Sequence, residues 1–144
     1  MAANPPVYIV DDEEAVRDSL SFLLESKGYV VKSSSSALGF LAAATALPIE
    51  CLIVDIRMPE MDGLELQDQL RTRMLGFPMV VITGHADVPL AVRAMKVGAV
   101  DFIEKPFASE TILDSLGVAL CRLASPNERD PAAAAAAEKL ALLS

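Results

Sequence analysis

Hydrophobic and polar positions alternate along the chain in two patterns. Short apolar runs rich in β-branched and aromatic residues predict five strands, at residues 7–10, 29–32, 51–55, 79–83 and 102–104. Between and after these runs, apolar residues recur with helical spacing. The first helix contains Val16, Leu20 and Leu24 and is predicted to end at Gly28. Four more helices are predicted at residues 37–47, 64–74, 88–97 and 109–123.

This alternation predicts the fold class α/β. Successive βα units require parallel strands joined by crossover helices, which cover both faces of the sheet. Because such crossovers are right-handed, few strand orders remain. The commonest is a doubly wound five-stranded sheet of order 2-1-3-4-5 with five helices, as in flavodoxin-like folds. In such sheets a ligand lies beyond the carboxyl ends of the strands, so functional residues are expected there.

A change in composition after residue 124 predicts a domain boundary. Residues 1–124 contain every predicted strand of the sheet, and a chain of 144 residues accommodates one such domain plus a short tail. The sequence Ser-Pro-Asn-Glu-Arg-Asp-Pro from Ser125 is typical of a linker. The Ala-rich segment that follows, up to residue 144, predicts a helix beginning at Pro131 that is not stable alone.

Composition narrows the function classes. Hydrophobic residues make up 53% of the chain, which is enough for a sizeable core. The net charge of −8 argues against a nucleic-acid-binding surface, which needs clustered basic residues. No signal peptide is recognised, and the uncharged residues 33–49 are too rich in serine to predict a membrane span, so a cytoplasmic location is expected. Cys51 and Cys121 are both expected to be buried in a reducing compartment.

Four predicted strand ends carry polar residues that are individually ordinary. Asp11 and Asp12 follow strand one, and acids at a helix start usually indicate capping. Asp55 after strand three is typical of a turn, Thr83 at the end of strand four of a β-former, and Lys105 after strand five of a solvated charge. The combination favours a functional site, because the carboxyl ends of parallel strands meet at one edge of the sheet.

The charges at this edge indicate its chemistry. Three close carboxylates repel one another unless a cation lies among them, and a site of oxygen ligands suits Mg²⁺. With a lysine and a hydroxyl opposite, the arrangement fits a carboxylate nucleophile that accepts a phosphoryl group, since metal and lysine neutralise the oxygens of the incoming group. The edge therefore predicts a magnesium-dependent site that accepts a phosphoryl group.

The sequence around these residues resembles bacterial response-regulator receiver domains over roughly residues 7–123. The matching motifs are Val-Asp-Asp at 10–12, Val-Asp-Ile-Arg-Met-Pro-Glu-Met-Asp-Gly at 54–63, Val-Ile-Thr-Gly-His at 81–85 and Phe-Ile-Glu-Lys-Pro-Phe at 102–107. They are highly specific in combination. The segments at residues 82–89 and 98–107 look closest to the FixJ-like subgroup, in which the receiver precedes a helix-turn-helix DNA-binding domain.

The resemblance implies a role for each of the three aspartates of the edge. Asp55 would be phosphorylated by the phosphohistidine of a sensor histidine kinase. Together with Asp12 and the backbone carbonyl of Arg57, Asp55 would also bind Mg²⁺ directly, whereas Asp11 would act mainly through water.

The resemblance also assigns phosphoryl binding, switching and dimerisation. Lys105 would pair with the phosphoryl group, and its bond to the following proline is expected to be cis. Thr83 and Phe102 match the family's switch pair, in which the hydroxyl turns toward the phosphoryl group and the ring moves inward. The fourth helix and fifth strand, with Val92 and Lys96 in or near the contact, would form a homodimer on phosphorylation.

In functional terms, the resemblance implies a signalling domain and not an enzyme with a separate substrate, since such a domain catalyses its own phosphorylation and dephosphorylation. It implies control of transcription through an output domain beyond these 144 residues, and only that domain would bind DNA. The alternative is a stand-alone receiver that acts through protein contacts.

Two other doubly wound classes fit the residues less well. A haloacid-dehalogenase-like hydrolase needs a second carboxylate two residues after its nucleophile, where this chain has Arg57. A flavodoxin-like cofactor module needs a phosphate-binding loop after strand one, where the run of four acids from Asp11 repels phosphate. The single histidine, His85, lies two positions after Thr83, and either modulation of acyl-phosphate hydrolysis or a plain loop role fits it.

Overall fold

The computed structural model describes residues 6–124, except for the side chains of His85 and Ala124. The strands of its sheet are β1 Pro6–Val10, β2 Val30–Ser34, β3 Leu52–Asp55, β4 Met79–Thr83 and β5 Asp101–Glu104. The α-helices are α1 Glu14–Ser26, α2 Ala37–Ala44, α3 Gly63–Thr72, α4 Val88–Val97 and α5 Ser109–Ala124. A short 3-10 turn, His85–Asp87, precedes α4. The expected linker and tail at residues 125–144 lie outside the described residues.

The sheet has the strand order β2-β1-β3-β4-β5, and all four neighbouring pairs are parallel. The predicted α/β fold class and doubly wound topology are therefore confirmed. The strand order also explains the position of the site. Since β1 and β3 are neighbours, with Val10 opposite Val54, the residues that follow each strand meet at the same edge.

The hydrophobic core consists of two clusters, one on each face of the sheet. Successive side chains along a strand point to opposite faces, so Tyr8 belongs to one cluster and Ile9 to the other. The first cluster is covered by α2, α3 and α4, and the second by α1 and α5. A strand buried on both faces is apolar throughout, which is why β3 and β4 were recognisable in the sequence as continuous apolar runs.

Several predicted elements differ in their bounds, most of them by one or two residues, and β2 and the second helix are examples. β2 was predicted at residues 29–32 but continues to Ser34, because its backbone pairs with β1 as far as Val10. The second helix was predicted to reach residue 47 but ends at Ala44. Pro48 has no N–H to donate to the carbonyl of Ala44 and disfavours helical backbone in Leu47, so the helix does not continue to residue 47.

The two cysteines differ in exposure. Cys51 is buried, as predicted, but the prediction for Cys121 was wrong, because this residue is exposed on α5. Its neighbour one turn earlier, Val118, is also exposed, so the apolar pattern of α5 extends beyond the face that packs on the sheet. Among the described residues, no helix has both the length and the apolar character needed to cross a membrane.

Candidate functional site

Acidic side chains from the ends of β1 and β3 converge at the carboxyl edge of the sheet. Asp11 directly follows β1 and is 1% exposed, and Asp55 is the last residue of β3 and is 5% exposed. Asp12 and Glu13, both exposed, join them. Each of the four offers a carboxylate oxygen, and these oxygens all lie within 4.8 Å of one another. The edge thus brings together the three predicted aspartates and one glutamate.

Lys105 brings a positive charge into this acidic group from the loop after β5. Its Nζ donates a hydrogen bond to Asp55 Oδ2 at 2.9 Å and lies 3.4 Å from Glu13 Oε1 and 3.7 Å from Asp11 Oδ2. Burial disfavours the charged ammonium, but the hydrogen bond to Asp55 and the three nearby carboxylates outweigh burial and raise the pKa of Lys105. The bond from Lys105 to Pro106 is cis, as expected.

Asp11 is the most constrained carboxylate of the site. Its Oδ1 accepts a hydrogen bond from the backbone N–H of Glu13 at 2.9 Å, but its buried Oδ2 has no hydrogen-bond partner in the described part of the chain. Burial is the main reason why the pKa of Asp11 is raised to about 6, and the charge of Asp55 adds to it. Arg17 from α1 donates a hydrogen bond to the backbone carbonyl of Asp11 at 2.7 Å, which holds this turn against the helix.

Asp55 has a hydrogen bond to each carboxylate oxygen. Oδ1 accepts from the backbone N–H of Arg57 at 3.0 Å, and Oδ2 accepts from Lys105. These two contacts fix the carboxylate at the surface of the site between a backbone amide and an ammonium group. A carboxylate held in this way is oriented for reaction with an electrophile that approaches from solvent.

The two predicted switch residues lie on β4 and β5. Thr83 is fully buried, and its hydroxyl donates to the carbonyl of Gly84 at 3.0 Å. Phe102 is half-buried and packs against the core cluster beneath α4. Thr83 pairs with Glu104 in the sheet, so Lys105 directly follows the residue opposite Thr83. Thr83 and Lys105 are also linked directly, because the N–H of Lys105 donates to the carbonyl of Thr83 at 2.8 Å.

The donor set of this edge fits a divalent cation. Among the described residues, four carboxylates share one small region with a single ammonium group, so negative charge is in excess. The buried Oδ2 of Asp11 lies 3.7 Å from Lys105 Nζ but has no hydrogen-bond partner among the described residues, and a cation would satisfy it. Carboxylate oxygens are the ligands that Mg²⁺ prefers.

Sequence reasoning missed the role of Glu13. Acids after β1 were compatible with helix capping, and Glu13 does occupy the N-cap position of α1. Its side chain makes no capping hydrogen bond there and instead approaches Lys105. These two residues are 92 positions apart, so no local pattern could have paired them. The one available signal was that Glu13 directly continues the acidic run at the edge.

Sequence reasoning also missed an ion pair at the rim of the site. Arg57 donates a hydrogen bond from Nη2 to Asp87 Oδ1 at 2.6 Å, although its side chain is 70% exposed. This contact raises the pKa of Arg57 and lowers that of Asp87. The predicted backbone role of Arg57 and this side-chain contact are compatible. The side chain of His85, for which a loop role or modulation of hydrolysis was considered, lies outside the described part of the chain.

Comparison with known proteins places this geometry in a family. The model of the response regulator receiver domain matches residues 7–117. The chain is 44% identical over 144 residues to the transcriptional regulatory protein FixJ of Azorhizobium caulinodans, covering all of this chain and 68% of that protein. It is 52% identical over 110 residues to FixJ of Rhizobium meliloti, covering 76% of this chain and 54% of that protein.

Solved structures agree with the sequence relatives. The crystal structure of FixJ-N superposes with a TM-score of 0.77 at 50% identity, covering 83% of this chain and 94% of that one. The chain therefore corresponds to nearly the whole of FixJ-N, but it spans only between about half and two thirds of the two FixJ proteins it matches.

Proposed function

Because the chain belongs to the response regulator receiver domain family, as a FixJ-like member, we propose that Asp55 accepts a phosphoryl group from the phosphohistidine of a sensor histidine kinase. The observation that carries this proposal is the environment of Asp55. Its carboxylate lies at the edge of the sheet between Lys105 and the backbone N–H of Arg57, beside an acidic group suited to a cation.

The chain's own residues account for the transfer. An oxygen of Asp55 forms a bond to phosphorus while the bond from phosphorus to the donor's imidazole nitrogen breaks, and the imidazole leaves with that electron pair. Lys105 starts on Asp55 Oδ2 and pairs with the transferred phosphoryl group afterwards, so its positive charge is present throughout. The domain thereby catalyses its own phosphorylation and, with water as the nucleophile, its dephosphorylation.

Mg²⁺ is the proposed cofactor. Asp12, Asp55 and the backbone carbonyl of Arg57 would hold it directly, and Asp11 would act through water. When bound, Mg²⁺ supplies positive charge that neutralises the phosphoryl oxygens. The proximity of the four carboxylates supports this assignment, as does the unpartnered oxygen of Asp11.

The output of phosphorylation is proposed to be a homodimer formed through α4 and β5. Thr83 would turn its hydroxyl from the carbonyl of Gly84 to the phosphoryl group, and Phe102 would move inward from its half-buried position. Val92, which is 40% exposed, and the exposed Lys96 lie on the same helix and would enter the contact.

Residues 1–124 are proposed to form the receiver, and residues 125–144 the linker to a DNA-binding output domain. The relatives of greater length that are named transcriptional regulatory proteins support this proposal. A stand-alone receiver that acts through protein contacts is the alternative. The gene sequence after codon 144 discriminates between them, because only the first requires a helix-turn-helix domain there.

Phosphorylation of Asp55 can be tested by intact mass. With Mg²⁺ and acetyl phosphate, the protein should gain one phosphoryl group that hydroxylamine removes, and chelation of the metal should prevent the gain. Asp55→Asn should abolish labelling, while the exposed Asp114→Asn on α5 serves as the matched control and should label normally. Stoichiometric labelling that persists in Asp55→Asn would contradict the assignment.

A further inference from the structure

Arg57 connects the proposed phosphoacceptor to the loop that follows β4. Its backbone N–H donates to Asp55 Oδ1, while its guanidinium donates to Asp87 Oδ1. Asp87 closes the 3-10 turn before α4. One residue thus contacts Asp55 through its backbone and the start of α4 through its side chain.

The same loop also contacts the hydroxyl of Thr83, the predicted switch residue. The carbonyl of Gly84 accepts two hydrogen bonds, one from the backbone N–H of Asp87 at 3.0 Å and one from the hydroxyl of Thr83 at 3.0 Å. The 3-10 turn at Asp87 therefore helps to hold the carbonyl to which Thr83 donates. A continuous set of contacts runs from Asp55 through Arg57 and Asp87 to Thr83.

Asp87 also has an unused alternative partner. It occupies the N-cap position of α4, where an aspartate normally accepts a hydrogen bond from the N2 or N3 backbone N–H, but it makes no such bond. Its backbone, at φ −105° and ψ 10°, is not in the extended conformation of a capping residue. Pro89 has no N–H, which leaves Leu90 as the donor that Asp87 could reach if the turn opened. The ion pair with Arg57 in the present turn and a cap on α4 with an extended backbone are thus two different arrangements of Asp87.

We propose that Arg57 and Asp87 are positioning residues that latch the loop after β4 in its unphosphorylated conformation. This inference rests on the proposed phosphorylation of Asp55. A phosphoryl group there adds negative charge beside Arg57, draws its guanidinium away from Asp87 and lets Asp87 cap α4. The carbonyl of Gly84, no longer held by the N–H of Asp87, can then move away from Thr83, whose hydroxyl turns toward the phosphoryl group.

The ranges of strength of the two alternatives for Asp87 overlap, which is what a switch requires. An ion pair as exposed as this one shifts an equilibrium by about fivefold at most, and an N-cap by about two- to thirtyfold. Neither interaction alone overwhelms the other, so a nearby change in charge decides between them.

The test follows the backbone amide resonances of Thr83 and Gly84 in the full 144-residue chain. Phosphorylation of the wild type defines the line along which these resonances move between the two conformations. Arg57→Gln and Asp87→Asn each remove the ion pair but leave an oxygen that can cap α4. In both unphosphorylated variants these resonances should therefore move along that line. The movement should correspond to a change of about two- to fivefold in the ratio of the two conformations.

Three further variants separate the latch from a general effect on stability. Asp87→Ala removes the ion pair and the cap together, so its shift should be smaller than that of Asp87→Asn. The double variant Arg57→Gln/Asp87→Asn should shift no further than either single variant, because both remove one interaction. Asp68→Asn, an exposed aspartate on α3, should leave the resonances in place.

If the resonances of both single variants stay at the unphosphorylated wild-type position while those of the phosphorylated wild type move, the latch is contradicted. The assignment of Asp55 as phosphoacceptor is then unaffected. Additive shifts in the double variant would overturn the pairing of Arg57 with Asp87. Failure of the wild type to gain a phosphoryl group would instead overturn the proposed function.

Discussion

Asp11 is buried beside Asp55 and Glu13, and its negative charge is destabilised in consequence. Removal from water is the largest contribution to its raised pKa, and like charges add to it, whereas the N–H of Glu13 and the ammonium of Lys105 oppose it. The residue is therefore suited to a cation and costs stability without one. This cost depends on pH.

In metal-free protein, the contribution of Asp11 to the free energy of unfolding should fall as the pH rises from about 4 to about 6. Below the unfolded pKa of 3.8, Asp11 is protonated in both states, whereas between 3.8 and about 6 only the unfolded chain ionises readily. Asp11→Asn should therefore match the wild type at pH 4 and exceed its stability by up to about 3 kcal/mol at pH 7.5, as measured by urea unfolding.

Mg²⁺ should remove this difference in stability. By binding only the folded wild type, it should stabilise that protein at pH 7.5 and cancel the advantage of Asp11→Asn. Asp18→Asn, exposed on α1, controls for the loss of one negative charge. An advantage of Asp11→Asn that is the same at pH 4 and pH 7.5 would show that burial of its charge is not the cause.

At the scale of elements, the start of α3 determines how closely the helix approaches the strand that carries Asp55. Asp62 caps the helix in a reciprocal arrangement with Glu65, and the N–H of Gly63 donates to the carbonyl of Ile56 at 3.0 Å. A Cβ at Gly63 would lie 2.9 Å from the carbonyl oxygen of Asp55 and 3.0 Å from Cα of Ile56. Both neighbours are backbone atoms that cannot move without shifting β3.

Gly63→Ala should therefore lower the free energy of unfolding by about 1–3 kcal/mol, the usual cost of overpacking, although alanine favours helix. Gly117→Ala is the matched control, because this helical glycine of α5 has nothing within 4 Å of the added Cβ. It should gain up to about 1 kcal/mol from helix propensity alone. Thermal or urea unfolding measures both, and equal effects of the two substitutions would rule out a close approach at Gly63.

At the scale of the whole molecule, β4, β5 and α4 connect the acidic edge to the proposed dimer surface. Thr83 is the residue of β4 nearest that edge, and Phe102 of β5 packs on the core beneath α4. Gln67 of α3 also holds α4, by donating to the carbonyl of Ala94 at 2.9 Å. A change at Thr83 can thus reach the outer face of α4 through a few packed residues.

Thr83→Ala should still accept phosphate on Asp55 but dimerise poorly, because only a hydroxyl gains a charge-assisted hydrogen bond to the phosphoryl group. A phosphoryl group that favours the active conformation by about 3 kcal/mol changes the ratio of active to inactive conformations roughly 150-fold. This is enough to turn a mostly monomeric protein mostly dimeric. Light scattering of the phosphorylated proteins measures the difference, and Thr83→Ser, which keeps the hydroxyl, should dimerise like the wild type. Equal dimerisation of Thr83→Ala and the wild type would remove Thr83 from the switch.

The order and type of the elements, and the convergence of Asp11, Asp12, Asp55 and Lys105, were determined by the sequence alone. The apolar periods that predict strands and helices are local, and the right-handed rule for crossovers then leaves few ways to order five parallel strands. Once β1 and β3 are neighbours, residues at their carboxyl ends must meet.

Only the tertiary structure decided which side chains pair at that edge and how deeply each is buried. Glu13 approaches Lys105 across 92 residues, and Arg57 reaches Asp87 across 30, so both contacts depend on how loops from different strands pack. Local pattern carries no information about such distances. The same reason explains why Asp11 is buried while Asp12 is exposed: they are adjacent and chemically identical, and only the surrounding elements distinguish them.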